Sequence, residues 1–283
     1  MAAALGADPV MLVLGASTAA GQRFVARAGG LDGVHLLAVS RKPPAQSRPG
    51  VTWLQHDLEQ GPAPADPGAL VSFGPVGLAA AQVEATPGIG RVVAVSSAST
   101  LFKSDSVDRQ ERALMDQIQA DEQRLLDLCR RRDALVSLFK TTMIYGGGRD
   151  ANVSRLAGLV QRLPLVPVAG RGLRAPVHAD DLAALALAVL AMDERSQGRW
   201  LLGGGERLSY PDMLRRIAAA QGHSVRVVST PAWLLRAALS AAHALGRLRD
   251  INAAMLARQA EDLVVDDRPA REQLGWNPRV FSP

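Results

Sequence analysis

Cysteine and tyrosine are scarce in this sequence, and each scarcity excludes a class of chemistry. The single cysteine, Cys129, rules out an internal disulfide and any metal site built from several cysteines, and it fits a reducing compartment. Cys129 lies in the apolar pattern of a predicted helix, which indicates a core position. Tyrosine occurs only at Tyr145 and Tyr210, so few phenol groups are available for acid–base chemistry.

Lysine is also rare, while arginine is abundant. Lysine occurs only at Lys42, Lys103 and Lys140, so arginine supplies nearly all the positive charge behind the formal net charge of +5. Arginine suits phosphate recognition because its planar guanidinium donates two parallel hydrogen bonds, although a GC-rich genome would produce the same composition. Basic and aromatic residues are not interleaved, so we expect no nucleic-acid partner.

Long apolar runs are missing as well. No stretch reaches the ~20 uncharged residues that a membrane-spanning helix needs. The amino terminus shows no basic region followed by an apolar stretch and a cleavage site, so we expect a cytoplasmic protein. With 283 residues, 48% of them hydrophobic and 21% charged, the chain can form one large domain or a core domain with a smaller lobe.

Short apolar runs alternate with helical patterns through the first half of the chain. This alternation predicts an α/β fold with a doubly wound parallel sheet, whose loops after the strands form the ligand-binding edge. Predicted strands cover residues 10–14, 35–39, 51–55, 70–73, 91–96 and 135–138. Predicted helices cover residues 20–28 and 111–131, the second with an inner face of Leu114, Ile118, Leu125 and Leu128.

The second half is less regular. Helical patterns cover residues 152–163, 181–192, 210–221 and 231–245, and strand patterns cover residues 175–178, 201–202 and 225–228. We predict a Rossmann-type NAD(P)-binding domain made of residues 1–146 with about 174–202. The remaining segments, about 147–173 and 203–283, are predicted to form a small substrate lobe.

Residues 231–249 combine an apolar face with flanking arginines. Trp233 and the leucines that follow it supply the apolar face, and Arg236, Arg247 and Arg249 flank it. Such a segment could lie on a membrane surface, pack on the substrate lobe, or pair with a second copy in a homo-oligomer.

A glycine-containing loop follows the first predicted strand and opens the first helix. It reads Gly15, Ala16, Ser17, Thr18, Ala19, Ala20 and Gly21. This context suits a dinucleotide, because amides at a helix start attract a pyrophosphate. Thr18 stands where a middle glycine is expected, adding a Cβ and also a hydroxyl that could bond a phosphate oxygen. A tight turn without a ligand is the alternative.

The ends of the next strands bear on the choice of cofactor. The second strand ends at Ser40, Arg41 and Lys42, with two cations and no carboxylate, which favours the 2′-phosphate of NADP, with NAD as the other possibility. Asp57 and Leu58 follow the third strand, where Asp57 could accept a hydrogen bond from the adenine amino group or simply be solvated. Residues 73–74, Phe73 and Gly74, complete this part of the predicted cofactor site.

Four further segments carry a resemblance to a known family. Residues 93–99, 142–146, 176–183 and 199–210 resemble, in the same order, segments of the extended or atypical short-chain dehydrogenases/reductases of the NAD-dependent epimerase/dehydratase type. The resemblance spans nearly the whole chain. It implies a catalytic serine at Ser97 with a second hydroxyl at Ser99. The cofactor contacts that we assign on the same basis are Ser96, Lys140, Thr142 and Tyr145, with pairing to an acid as the alternative for Lys140.

The family's tyrosine and lysine, four residues apart on the next long helix, are missing here. Aligning the Asp121–Gln123 stretch with the family's helix places Leu114 and Ile118 at those positions. Lys103, in the loop after the serine strand, is the candidate substitute, because burial beside another cation can lower the pKa of a lysine until its amine is neutral and able to accept a proton. An exposed loop lysine is the alternative.

The remaining titratable residues are expected to be structural. We expect a satisfied, buried histidine at His178 and helix caps at Asp180 and Asp181, and we expect no metal site. Two functions follow from these patterns. One is an NADP-dependent oxidoreductase or epimerase that acts on a small metabolite or nucleotide sugar without a tyrosine. The other is an NADP-binding sensor or accessory subunit that does not turn the cofactor over.

Overall fold

A central parallel sheet organises the structure, a computed structural model that describes residues 10–148, 150, 152–244, 246 and 253–283. The strands of this part of the chain are β1 (Val10–Leu14), β2 (His35–Ser40), β3 (Val51–Gln55), β4 (Ala69–Ser72), β5 (Arg91–Ser97), β6 (Leu135–Thr141), β7 (Ile144–Tyr145), β8 (Leu165–Val168), β9 (Leu173–Arg174), β10 (Val177–His178), β11 (Gly198–Leu202), β12 (Leu208–Ser209) and β13 (Arg226–Ser229).

Seven strands form the central sheet, in the order β11-β6-β5-β4-β1-β2-β3. Every neighbouring pair is parallel. The chain runs outward from β1 to β3 and then returns to place β4 on the other side of β1. This reversal opens a crevice at the carboxyl ends of β1 and β4, where open α/β sheets bind ligands. The predicted doubly wound α/β class is confirmed.

Helices cover both faces of the sheet. The described helices are α1 (Ala19–Ala28), α2 (Val76–Ala85), α3 (Arg109–Arg131), α4 (Val153–Arg162), α5 (Ala179–Leu190), α6 (Tyr210–Ala220), α7 (Ala232–Ala244), α8 (Ala253–Ala257) and α9 (Arg268–Leu274). α1, α5 and α9 share one apolar core with the sheet, and α2 and α3 share the other. The molecule is therefore layered as helix, sheet and helix.

Two features of the helical layers differ from the sequence prediction. Leu114, expected on the inner face of α3, is 55% exposed, and its neighbour Met115 is buried instead. The inner face runs through Met115, Glu122, Leu125, Leu128 and Cys129. The helix α2 was not predicted, because it has no polar stripe that would mark an amphipathic period.

A third apolar cluster forms the small lobe. α4 and α6 pack there against the parallel pair of β8 and β13, and Phe281 from the end of the chain joins them. Residues 270–276 depart from the predicted boundary, since Ala270, Leu274 and Trp276 pack into the core of the sheet. The carboxyl-terminal segment therefore serves both units and ties them together.

Helix α7 is largely exposed. α7 buries only Leu239, while Trp233 is 70% exposed. Leu245, Arg247 and Arg249, which belong to the predicted apolar face and its flanks, lie outside the described residues. Within the described ranges, no helix combines the length and the apolar character that crossing a bilayer demands.

Candidate functional site

The glycine loop makes a close turn between β1 and α1. Gly15 has φ +65°, a left-handed conformation that favours glycine, and a Cβ on it would lie 2.7 Å from the amide nitrogen of Gly74. A Cβ on Gly21 would overlap the carbonyl oxygen of Gly15. These two glycines let the loop approach the end of β4 and let α1 begin directly above the sheet.

Thr18 caps α1. Its hydroxyl donates to the carbonyl of Gly15 (2.8 Å) and accepts from the amide of Gly21 (3.1 Å). An N-cap threonine of this kind stabilises a helix by about 1 kcal/mol. Because the hydroxyl proton is already donated to Gly15, it is not available to a phosphate oxygen, so Thr18 has a structural role in this loop.

The start of α1 is equipped to receive an anion. The amides of Ala19 and Ala20 have no hydrogen-bond partner among the described residues, and the first turn contains no acidic side chain. The side chain of Ser17 is exposed next to them. Free amides and the positive end of the helix dipole together attract a phosphate. The residues present therefore fit the pyrophosphate of a dinucleotide.

The ends of β2 and β3 lie at the same edge. The hydroxyl of Ser40 accepts from the amide of Lys42 (3.1 Å), which fixes the turn. The Arg41 side chain is exposed and makes no ion pair with any residue of the described chain. Asp57 uses one carboxylate oxygen to accept from the amide of Glu59 (3.1 Å). Leu58 packs against the core beneath it.

Three further predicted cofactor residues occupy structural positions. Phe73 is buried against Phe24, with ring centroids 5.5 Å apart. The hydroxyl of Thr142 donates to the carbonyl of Ala175. The Tyr145 ring is buried, and its oxygen accepts from the amide of Ser282 (3.1 Å). Burial raises the pKa of Tyr145, so its phenol is not poised as an acid.

Ser97 ends β5 and begins a short 3₁₀ turn, Ala98–Leu101. Its hydroxyl oxygen accepts from the amide of Ser99 (3.1 Å), and its carbonyl accepts from Thr100. Side chains alternate along β5, with Val93 and Val95 in the core shared with α1 and α5. By this alternation Ser97 points to the α1 side of the sheet. Its hydroxyl proton has no acceptor among the described residues and can be donated to a ligand.

Lys103 is held in an ion-pair cluster. Its ammonium lies 3.1 Å from Glu111, whose other oxygen contacts Arg258 at 2.5 Å and Ser106 at 2.6 Å. Although partial burial opposes ionisation of Glu111, the hydrogen bonds from Ser106 and Lys103 lower its pKa below the usual value. The structure therefore does not place Lys103 as a free amine base. Instead, the cluster ties the loop after β5 to the segment after α8.

Ser96 and Lys140 point to the opposite side of the sheet. Ser96 donates to one oxygen of Glu122 (2.6 Å), and Lys140 lies 2.8 Å from the other. Glu122 and Lys140 are both buried. The side chains of Ser96 and Lys140 are thus committed to α3, which corrects their assignment as cofactor ligands and bears out the alternative that Lys140 pairs with an acid.

The sequence analysis did not identify Glu122 as the partner of Lys140, although the position of Glu122 in α3 is a signal. The residue sits at an inward position of α3, four after Ile118 and three before Leu125. A charged residue at such a position needs a buried counter-charge, and Lys140 is the lysine that interrupts the apolar strand β6.

His178 and the two aspartates after it form a second polar cluster. His178, not an aspartate, caps α5: its Nδ1 accepts from the amide of Asp180 (3.1 Å). The three side chains lie within 4.8 Å of one another. Asp180 and Asp181 are nevertheless paired with arginines, Asp180 with Arg27 and Arg279 and Asp181 with Arg279. The cluster is an ion-pair network that binds the carboxyl-terminal segment to α1.

A cavity of about 300 Å³ lies between α3 and the edge strand β11, with Arg130, Val136 and Arg199 in its lining. Gly198, which also lines it, is the first residue of β11. The cavity therefore lies at the amino edge of the sheet, opposite the glycine loop, and is not the crevice in which ligands of such sheets bind.

Comparison with known proteins supports the fold of the whole chain. No protein-family model and no curated protein matches it. Among solved structures, UDP-N-acetylglucosamine 4-epimerase from Bacillus cereus matches with a TM-score of 0.66 and 15% identity, over 96% of this chain and 92% of that one.

Two other matches have the same character. The B. cereus UDP-glucuronic acid 4-epimerase, in complex with NAD, gives a TM-score of 0.68 at 13% identity, over 96% of this chain and 92% of that one. UDP-glucose 4-epimerase from Thermotoga maritima, with UDP-glucose, gives 0.66 at 12% identity, over 96% and 94%. This chain therefore has the fold of the nucleotide-sugar epimerases, small lobe included.

Proposed function

We propose that the protein binds NADP(H) at the carboxyl edge of the sheet and acts as an oxidoreductase or epimerase on a small metabolite or nucleotide sugar, without a catalytic tyrosine. The observation that carries the proposal is the start of α1, where the free amides of Ala19 and Ala20 stand beside a turn that only glycine allows. Gly15, Ser17 and Gly21 belong to the segment that would hold the pyrophosphate, and Asp57 would face the adenine.

Arg41 supports the choice of NADP. It follows β2 directly, and its guanidinium is not committed to any described acid. In sheets of this type, the residue after the second strand meets the adenosine ribose, and a cation there accommodates a 2′-phosphate. Charge-assisted hydrogen bonds of this kind contribute about 1.5–3 kcal/mol, which corresponds to roughly 10- to 100-fold in affinity.

Ser97 is the residue that we assign to the reacting end of the site. When bound, the nicotinamide supplies hydride donation or acceptance, which is the chemistry of oxidoreductases and epimerases. Ser97 would donate its hydroxyl proton as a hydrogen bond to a substrate oxygen. No described tyrosine or lysine stands ready to exchange a proton with that oxygen, so water would have to do so. The loss of a positioned acid or base lowers a rate by about 10²–10⁴.

A second candidate, binding without turnover, has its own support. Leu114 and Ile118 stand where the resemblance expects the tyrosine and lysine, and the Lys103 ammonium is bound to Glu111. These features suit a sensor or accessory subunit that responds to NADP(H) without consuming it.

Calorimetric titration with NADPH and NADH tests the binding proposal. We expect NADPH to bind more tightly than NADH, and Arg41→Ala to remove that difference. Arg48→Ala is the matched control, since Arg48 lies in the same loop but just before β3, at the amino edge. Equal affinities for both nucleotides in the wild type would contradict the NADP assignment.

Turnover is tested separately, on protein that binds NADPH. Oxidation of stoichiometric NADPH would be followed by absorbance over a panel of carbonyl metabolites and nucleotide 4-keto sugars, with Ser97→Ala as the comparison. Oxidation with one substrate, slowed in Ser97→Ala, supports the enzyme. Tight binding without oxidation across the panel supports the second candidate.

A further inference from the structure

An exposed apolar patch lies on the small lobe, where β8, β13 and the start of α7 come together. Trp233 is 70% exposed, and Leu165 and Leu234 are each 46% exposed. β8 pairs with β13 in a register that sets Leu165 beside Arg226, and α7 packs against β8. We call this surface the β8–α7 face, and its residues are Leu163, Leu165, Arg226, Trp233, Leu234 and Arg236.

The face is built from alternation along the two strands. Val166 and Val168 of β8 point into the lobe core, so Leu165 and Pro167 point outward. Residues in register on parallel strands share a face, which places Arg226 and Val228 outward as well. Large apolar side chains grouped on a surface in this way mark an interaction site more often than single exposed ones do.

Charge on the surrounding segments is entirely of one sign. Residues 153–172 and 222–244 contain five arginines and no aspartate or glutamate. These arginines account for the whole formal net charge of +5, since the remaining 27 basic residues equal the 27 acidic residues. Arg162, Arg226 and Arg236 make no ion pair with any described residue. Arg226 and Arg236, which belong to the β8–α7 face, are exposed and bring unpaired positive charge to it.

This combination points to one kind of partner. Exposed tryptophan and leucine beside unpaired arginines match an interfacial membrane contact, in which apolar side chains enter the headgroup region and the cations meet anionic lipid. Arg236 lies one helical turn after Trp233, so both reach the same plane. A symmetric dimer through this face would oppose arginines to arginines, which is unfavourable.

We infer that the β8–α7 face docks the protein on an anionic lipid surface. The contact is peripheral. The proposal stands apart from the cofactor assignment, because no residue of the face belongs to the glycine loop or to the strand ends around it.

Vesicle flotation with the full chain tests the proposal. We expect binding to phosphatidylcholine vesicles that contain phosphatidylglycerol, little binding to phosphatidylcholine alone, and weakening as salt is raised. The double variant Trp233→Ser/Leu234→Ser should abolish flotation. Arg226→Gln and Arg236→Gln should each weaken partitioning about fivefold, from the contribution of one arginine near such a surface.

Matched variants elsewhere on the surface control for general effects. Leu31→Ser removes a leucine of similar exposure, 40%, and Arg195→Gln removes an exposed arginine, both outside the face, and both variants should float like the wild type. A circular dichroism melt confirms that each variant is folded.

Three results would overturn the proposal. The first is no flotation of the wild type with anionic vesicles. The second is flotation that the face variants leave unchanged. The third is a set of face variants that change only self-association in sedimentation velocity, which would assign the face to a second copy of the chain. Variants that change only binding to an oligonucleotide would likewise assign the face to nucleic acid.

Discussion

Removing Glu122 is expected to destabilise the protein strongly, and removing its partner at the same time is expected to restore much of the loss. Glu122 and Lys140 retain only 4% and 9% side-chain exposure and lie 2.8 Å apart. Glu122→Gln would leave the Lys140 ammonium buried without a counter-charge, and breaking one side of a buried pair costs about 3–5 kcal/mol. For a chain of this size, that corresponds to a fall in melting temperature of roughly 10 °C.

The double variant Glu122→Leu/Lys140→Met removes both charges and preserves apolar volume. Its cost should fall to about 1–3 kcal/mol, the penalty of leaving the Ser96 hydroxyl without its acceptor. Urea unfolding of the wild type, both single variants and the double variant measures the coupling. Glu84→Gln is the control, since the Glu84–Arg124 pair is exposed and should contribute less than about 1 kcal/mol. Strictly additive single variants would refute the reasoning.

Three further substitutions test other parts of the structure. Thr18→Ala removes the cap of α1 and should cost about 1 kcal/mol in urea unfolding, without changing NADPH affinity, because the hydroxyl serves the loop itself; weaker NADPH binding at unchanged stability would argue otherwise. The Arg27 hydrogen bond lowers the pKa of Asp180 to about 2, so its stabilisation is complete above the usual aspartate range and is lost as pH falls towards 2. Asp180→Asn should therefore flatten the acid side of the pH–stability curve, by at most about 2 kcal/mol, and an unchanged curve would contradict the network. Arg91 is buried with two guanidinium nitrogens unpaired, so Arg91→Met should lower the free energy of unfolding, measured by thermal melts, by no more than about 1 kcal/mol. A decrease several times larger would show that the remaining hydrogen bonds of Arg91 outweigh the cost of its unpaired nitrogens.

Strand positions in the sheet were predictable because they carry a strong local signal. Strands β1, β2, β4, β5 and β6 are short, mostly apolar runs next to a turn, and burial inside the sheet requires that composition, whereas β3 is an edge strand with Thr52 and Gln55 exposed. The glycine loop was predictable for the same reason, since the strand before it, the loop itself and the helix after it are contiguous in the sequence. Helix α2 was not, because its burial between the sheet and α3 removes the polar stripe that marks a helix in sequence.

The candidate site was harder to predict because its contacts are not local. Lys103 looked available in sequence, but it pairs with Glu111 of α3, which also binds Arg258 from the segment after α8. Thr18 was a candidate phosphate ligand in the sequence, whereas its role as the N-cap of α1 depends on loop geometry that cannot be predicted from the sequence. The two ion pairs of Glu111 join residues 8 and 147 positions apart and are decided by the tertiary fold, so residue types alone left these roles open.

Titration of the wild-type protein and Arg41→Ala with NADPH and NADH tests the central claim most directly. The claim is that the start of α1 holds a dinucleotide and that Arg41 selects NADP. We expect tight NADPH binding, weaker NADH binding, and an NADPH affinity that falls roughly 10- to 100-fold in Arg41→Ala while NADH affinity stays the same. Binding of neither nucleotide by folded wild-type protein would contradict the claim, and the glycine loop would then be a structural turn.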